Sequence, residues 1–363
     1  MAKVLILANN DVGLYKFRKE LIQELVKNYE VYISLPYGDF IPQLEELGCK
    51  FIDTPISRRG TNPLKDFKLL MNYRGIIKRI RPDIVLTYTI KPNVYGGIAC
   101  TLAQVPYISN ITGLGSAVEN GGLLRKISLL LYKLSLRNAN YVFFQNNENK
   151  KLFVKKKIVN NNNKVIPGSG VNLSNYQLMD YPTDGILHFL FIARVMKEKG
   201  IDQYLDAAEY IRENYPNTVF HILGYCEENY QDKLKEMQNK GIIQYHGMQN
   251  DVIEFHKISH CTIHPTYYPE GMSNVLLESA ACGRPIITTN RSGSREIVND
   301  GVNGFIVQQK SSEDLIEKIE RFIRLDHESK KNMGLAGRKK VEKEFSREIV
   351  VQAYLDEIYK ITR

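Results

Sequence analysis

The sequence predicts an α/β protein built from two Rossmann-like domains, and three observations carry that expectation. Short β-rich apolar runs alternate with amphipathic segments along the chain, the pattern of parallel strands joined by crossover helices. The alternation comes as two series, separated by Gly168–Gly185, a stretch without periodicity that holds glycines, Pro182 and several Asn and Asp. Finally, 363 residues are long for one core and comfortable for two domains of about 150–200 residues each.

In the first series, 3–8, 31–35, 84–87, 107–111 and 141–144 are continuous apolar runs and read as strands buried on both faces. Between them, 15–27, 64–81, 93–103 and 123–136 show helical periodicity. The second series has expected strands at 187–193, 219–223, 242–245, 261–264, 285–288 and 304–307, and helices at 201–214, 230–240, 275–282 and 312–323. The Asn-rich run Asn160–Asn163 reads as a polar loop. The tail, 330–361, is helical and longer than the second sheet needs. The expected division is a first domain over 1–170, a second over 171–345 and a terminal helix over 346–363.

Composition narrows the function classes. With 43% hydrophobic and 25% charged residues, the chain has the make-up of a soluble globular protein, and no run approaches the roughly 18 apolar residues that span a bilayer. The opening Met1-Ala-Lys-Val-Leu-Ile turns polar too soon for a signal peptide and reads as a first strand. Five scattered cysteines without a CxxC point to a reducing cytoplasm and away from structural disulfides or zinc. His256 and His260, four apart, lack a third ligand or an H-E-x-x-H pattern, so no zinc site is expected. The net charge of +9 is uneven: residues 1–170 carry 25 Lys and Arg against 12 Asp and Glu, and residues 171–363 carry 24 against 28. Most of the surplus lies in residues 51–170, with 19 basic and 5 acidic side chains, which suggests that this half meets an anionic partner. An accidental asymmetry of a solvated surface is the plainer alternative. The pI of 9.1 invites a nucleic-acid-binding module, but the 22 tyrosines are dispersed rather than interleaved with Arg, and no nucleic-acid partner is expected.

The most informative stretch is Pro269–Pro285. Glu270 and Glu278 flank a turn and the opening of a helix, with Gly271 where the backbone must approach something closely. If the helix starts there, Met272, Ser273, Asn274 and Val275 offer backbone N–H groups at a positive dipole end that attracts an anion. Glu278, one turn further in, reaches a polar group attached to that anion, as in a nucleotide sugar. Spacing alone equally allows an ordinary helix with a solvated Glu at each end.

This stretch resembles the E-x7-E signature of retaining glycosyltransferases of family 4, which have the GT-B fold. Phe191-Ile-Ala-Arg194-Val-Met-Lys-Glu-Lys199-Gly200 is similar to that family's Arg and Lys segment, and Val165-Ile-Pro-Gly-Ser-Gly-Val-Asn172 resembles its interdomain segment. Tyr15-Lys-Phe-Arg18, Ser57-Arg58 with Asn62-Pro63, and Gly113-Leu-Gly-Ser116 are similar to bacterial enzymes that add N-acetylhexosamines to polyprenyl-diphosphate-linked sugars. The resemblance implies two Rossmann-like domains facing a cleft, with a terminal helix returning to the first domain. It implies transfer with retention from a UDP-sugar to a polyprenyl-diphosphate-linked saccharide, on the cytoplasmic face of an anionic membrane surface.

Residue roles follow from the same resemblance. Arg194 and Lys199 stabilise the departing diphosphate, Arg with a fork and Lys as a mobile point charge. No D-x-D pattern occurs in the chain, so neither a metal nor another cofactor is expected. Glu278 takes the ribose hydroxyls, and Glu270 the donor sugar hydroxyls or the positive charge developing on its ring. The loop Gly247–Val252, with Met248 and Val252, is the expected base pocket. Gly13 sits in a single-glycine loop leading into the first helix, where backbone N–H groups can meet a phosphate; a structural turn is equally compatible. Arg18, Arg58 and Arg59 are the expected cations for the acceptor diphosphate. Relatives carry a His in the first-domain loop that touches the donor sugar, whereas this chain reads Thr112-Gly-Leu-Gly-Ser-Ala-Val-Glu119. That role passes to Gly115, Ser116 or Glu119, of which Ser116 and Glu119 are also expected at the acceptor. A UDP-N-acetylglucosamine 2-epimerase shares the two-domain architecture and is the enzymatic alternative.

Overall fold

The computed structural model describes residues 1–57, 62–115, 118, 121–183 and 185–362. They form two compact units, one of Met1–Gly170, Glu270–Met272 and Arg347–Arg363, the other of Val171–Pro269 and Ser273–Ser346.

The first unit holds β1 (Ala2–Leu7), β2 (Tyr29–Leu35), β3 (Lys50–Asp53), β4 (Ile84–Tyr88), β5 (Tyr107–Ile111), β6 (Tyr141–Phe144) and β7 (Asn163–Val165). They pair in parallel in the order β3-β2-β1-β4-β5-β6-β7, with Val4 opposite both Val31 and Ile84. Strand β1 shows why its run is apolar throughout: Val4 and Ile6 enter one buried cluster, Leu5 and Leu7 the cluster on the other face. The helices are α1 (Asp11–Leu25), α2 (Ile41–Glu46), α3 (Pro63–Ile80), α4 (Gly97–Ala103), α5 (Gly122–Leu136) and α6 (Asn147–Lys155). A π-helical turn, Pro92–Gly96, precedes α4.

The second unit repeats the topology. Strands β8 (Leu187–Ile192), β9 (Thr218–Leu223), β10 (Gln244–Tyr245), β11 (Cys261–His264), β12 (Ile286–Thr289) and β13 (Gly304–Val307) lie parallel in the order β10-β9-β8-β11-β12-β13. Its helices are α7 (Ile201–Asn214), α8 (Gln231–Asn239), α9 (Ile253–Ile258), α10 (Asn274–Ala281), α11 (Ser312–Ile323) and α12 (His327–Glu344). Phe189, Phe191, Phe220 and Phe322 anchor its core. A row of imidazoles crosses this sheet: His188 Nδ1 meets His221 Nε2 at 2.9 Å, His221 Nδ1 meets His246 Nε2 at 3.0 Å, and successive ring planes are 15° and 25° apart. All seven histidines of the sequence fall in this unit.

The last helix, α13 (Arg347–Thr362), belongs to the first unit and buries Val350, Val351, Tyr354 and Ile358 in its core. Arg347 fixes its start, pairing with Glu20 at 2.6 Å and donating to the Gly170 carbonyl. Among the described residues no helix is long and apolar enough to cross a membrane.

Several expectations change. The helical tail divides into α12 and α13, with the break where the Phe345 carbonyl accepts from Val171 N–H and Ser346 bridges Val171, so the terminal helix expected over 346–363 runs over Arg347–Thr362. The sequence reading omits β3, β7, α2, α6 and α9, all of them short, and Asn163 begins β7 instead of ending a loop. Such elements span too few residues to establish a period.

Candidate active site

In both sheets the crossovers leave in opposite directions from two adjacent strands, β1 and β4 in the first unit, β8 and β11 in the second. Open α/β sheets bind ligands beyond the carboxyl ends of such strand pairs. In the second unit the loop after β8 carries Arg194 and the loop after β11 carries Tyr268, so the topology sets the two together.

Arg194 donates from Nη1 to the Glu227 carboxylate, and its guanidinium carbon lies 5.2 Å from the centre of the Tyr268 ring. Lys199 ends a 3-10 turn, Lys197–Lys199, and its Nζ lies 5.0 Å from the same ring centre. The turn is locked to the β11 loop, because Tyr267 N–H donates to the Glu198 carbonyl at 2.9 Å. Gly200 closes it at φ 78°, where a Cβ would run into the Pro265 carbonyl. Burial, reinforced by the Arg194 charge and opposed by Glu198, pulls Lys199 down to about 7. Beside it His264 is fully buried, with both ring nitrogens lacking a hydrogen-bond partner among the described residues. Its pKa is pushed well below the usual imidazole range by burial and then by Lys199. Neither Tyr268 nor Glu227 was identified from sequence. Tyr268 is one of 22 tyrosines, and Glu227 stands 33 positions from the residue it pairs with.

Helix α10 begins at Asn274 with Ser273 as its N-cap residue. Ser273 N–H already donates to the Gly293 carbonyl at 2.8 Å, which narrows the expected set of open backbone donors. Asn274 and Val275 provide the first N–H groups of the helix, which have no intrahelical carbonyl to meet. Asn274, Val275 and Glu278 are half-buried while every other residue of α10 is buried, so these three share its accessible face. On the next loops, Gly224 N–H donates to the Gly247 carbonyl at 2.8 Å; Met248 is exposed and Val252 half-buried. Among the described residues no group of three or more His, Cys, Asp and Glu is arranged to hold a metal ion.

Glu270, Gly271 and Met272 group with the first unit. Asn146 Nδ2 donates to the carbonyls of Glu270 at 3.1 Å and Gly271 at 2.9 Å, while its Oδ1 caps α6 at Asn149 N–H. A Cβ on Gly271 would collide with the Thr112 carbonyl and the Gln145 amide. The close approach expected at Gly271 is therefore to this chain's own backbone. Gly13 lies in the first turn of α1, not in a loop before it, because Asn10 caps the helix and its Oδ1 accepts from Gly13 N–H at 2.6 Å. Arg18 is buried: its guanidinium stacks 4.9 Å from the Tyr88 ring centre and donates to the Phe17 carbonyl. Arg58, Arg59, Ser116 and Glu119 lie outside the described residues.

On the surface of the first unit, α5 exposes Leu123, Ile127, Leu130 and Leu134, with Leu123 72% exposed, beside Lys126, Lys133 and Arg137. Leu131 packs against the core. Helix α3 adds Leu64, Phe67 and Met71 at i, i+3 and i+7, with Leu64 82% exposed, a face that the sequence reading did not single out. Helix α4 packs against both α3 and α5.

Comparison with known proteins bears on these features. Residues 3–146 match the family model described as glycosyl transferase 4-like, and residues 184–340 match that of glycosyl transferases group 1. The chain is 26% identical over 331 residues to an N,N'-diacetylbacillosaminyl-diphospho-undecaprenol alpha-1,3-N-acetylgalactosaminyltransferase of Campylobacter jejuni, covering 86% of this chain and 87% of that one. It is 27% identical over 323 residues to an Escherichia coli UDP-Gal:alpha-D-GlcNAc-diphosphoundecaprenol alpha-1,3-galactosyltransferase, covering 82% and 81%. Among solved structures, Anabaena HepE in complex with UDP-glucose superposes with a TM-score of 0.80 at 19% identity, covering 99% of this chain and 100% of that one. A glycosyltransferase from Rickettsia africae gives 0.79 at 20% identity, covering 100% and 99%. At these identities the structural likeness speaks to the fold alone. The chain belongs to the GT-B glycosyltransferases, with a 4-like glycosyl transferase domain followed by a group 1 domain.

Proposed function

We propose that this glycosyltransferase moves an N-acetylhexosamine from a UDP donor to a polyprenyl-diphosphate-linked saccharide, with retention and without a metal. The observation that carries the reading is the pair Arg194 and Lys199 around Tyr268: two cations held together where a ligand of this fold ends. Breaking the sugar–UDP bond builds negative charge on the diphosphate, and preorganised cations stabilise that charge without a resident ion. Lys199 gains most, since an arriving diphosphate offsets both the burial and the Arg194 charge that depress its protonation. Glu278, on the accessible face of α10, takes the ribose hydroxyls, and Glu270 the donor sugar. The relatives' acceptors support the lipid-linked substrate class.

The same substrate calls for a membrane. The exposed leucines of α5, flanked by Lys126, Lys133 and Arg137, suit a helix lying in a headgroup layer. The apolar face of α3 widens that surface. The protein then works in the cytoplasm, peripherally on the inner face of the cell membrane.

The test is transfer from UDP-N-acetylglucosamine, UDP-N-acetylgalactosamine and UDP-galactose to a short prenyl-diphosphate-linked N-acetylhexosamine in excess EDTA, with the new linkage read by NMR. An α-linked product formed in EDTA supports the reading. A β-linkage, or activity that returns only with a divalent cation, overturns it.

A further inference from the structure

We infer that Tyr268 is a positioning residue for the transfer, the aromatic platform that holds Arg194 and Lys199 side by side as one diphosphate clamp. The inference rests on the proposed role of those two cations and goes beyond it, because it names what keeps like charges together before substrate arrives. Both cations face one ring, at 5.2 and 5.0 Å from its centre. A π-face is negative and attracts cations without competing for them as a carboxylate would. Glu227 pairs with Arg194 from the guanidinium side. The backbone fixes the ring relative to Lys199: Glu198 accepts from Tyr267 N–H, and Tyr268 N–H donates to Thr266 Oγ1 at 3.2 Å. The neighbouring tyrosine is engaged elsewhere, with Lys310 Nζ 4.9 Å from the Tyr267 ring centre. Arg194, Glu198 and His264 stand among the charged and titratable groups around Lys199, and the ring faces both cations.

The platform depends on the ring face and not on the hydroxyl, which sets the experiment. Tyr268→Phe, Tyr268→Leu and replacement of Tyr268 by pentafluorophenylalanine are compared for kcat and kcat/KM against pH, with UDP affinity by calorimetry and melting temperature alongside. The fluorinated ring keeps the shape and removes the negative face, so it separates the role from folding. Tyr268→Phe should stay within about twofold of the natural protein. The leucine and fluorinated variants should lose roughly 10-fold in kcat, and the basic limb of their kcat/KM profile should move about half a pH unit to one pH unit lower. In a Lys199→Ala background both losses should vanish. If the fluorinated ring matches the natural protein, or if Tyr268→Phe is as impaired as Tyr268→Leu, the platform role is wrong. If the Tyr268 losses persist unchanged in the Lys199→Ala background while Lys199→Ala alone is crippled, the platform fails and the cation pair stands. If Lys199→Ala and Arg194→Ala are both fully active, the underlying reading fails instead.

Discussion

Each unit sets a tyrosine beneath a cation at the strand pair where its topology reverses, yet the two arrangements serve opposite ends. In the first, the Arg18 guanidinium lies over Tyr88 and is closed in, with Tyr354 of α13 tilted against the same ring. In the second, Arg194 and Lys199 share Tyr268, and Arg194 keeps 27% of its side chain open to solvent. The first cation is part of a core; the second pair is a desolvated but reachable charge. The same contact type thus signals structure or chemistry according to what covers it. The units differ elsewhere too: the first exposes leucines beside lysines on α5, while the second holds every histidine, most of them buried.

The comparison breaks most sharply at turnover. Arg194→Ala or Lys199→Ala should lower kcat by roughly 10²–10³ with activity intact in EDTA, the scale for losing one preorganised charge. Arg18→Met, in contrast, should act through melting temperature. A drop in kcat from Arg18→Met equal to that from Lys199→Ala, at unchanged stability, would mean that the first unit's cation also meets substrate.

The two glutamates should separate next. Glu278→Ala should weaken UDP binding by roughly 10-fold, since hydrogen bonds to a charged group are worth about 1.5–3 kcal/mol. Glu270→Ala should leave UDP affinity nearly intact while slowing transfer. Calorimetry with UDP on both variants decides it, and equal losses would show that the roles are wrongly divided.

At the surface, Lys126→Ala and Lys133→Ala should each weaken binding to anionic vesicles about fivefold, near 1 kcal/mol per charge, with the difference fading at high salt. Leu130→Ser should weaken binding at all salt concentrations. Sedimentation with vesicles of graded anionic content measures both, and indifference to anionic lipid at low salt would remove the membrane role.

The smallest effect near neutral pH concerns stability in acid. Burial, with His188 and His246 adding, lowers His221 to about 4, and burial with Arg284 lowers His256 to about 3. These groups are neutral when folded and titrate near 6.5 when unfolded, so the unfolded chain binds more protons between those values. Their contribution is full above pH 6.5 and is lost as pH falls toward 4. Hydrogen exchange should therefore loosen the second unit before the first across that window, and the reverse order would contradict the assignment.

Much of this was legible in the sequence where a period or a motif ran long enough. Residues 201–214 and 312–323 match α7 and α11 residue for residue because their apolar positions repeat over several turns. The helix over 123–136 was legible for the same reason, but periodicity cannot tell a covered face from a bare one, and only the fold shows Leu123, Ile127, Leu130 and Leu134 exposed. Arg194 and Lys199 stand out in the sequence through their motif, whereas the nearness of Tyr268 to them follows from the strand order, which no local pattern encodes. Gly13 was misplaced because the Asn10 cap pulls the helix start four residues ahead of the expected Tyr15. The charge of Arg18 is visible in the sequence and its burial over Tyr88 is not.

The imidazole row has a consequence of direction. His221 is neutral and carries one N–H, so it donates to one neighbour and accepts from the other. Each link joins Nδ1 of one ring to Nε2 of the next, so with all three rings neutral His188, His221 and His246 adopt the same tautomer. Only two arrangements satisfy every bond, and they point opposite ways across β8, β9 and β10. Passing from one to the other requires all three protons to move together, which makes the row a single two-state polarity rather than three independent side chains. Imidazole nitrogen spectra of this sheet should accordingly show the three rings switching as one, or not at all.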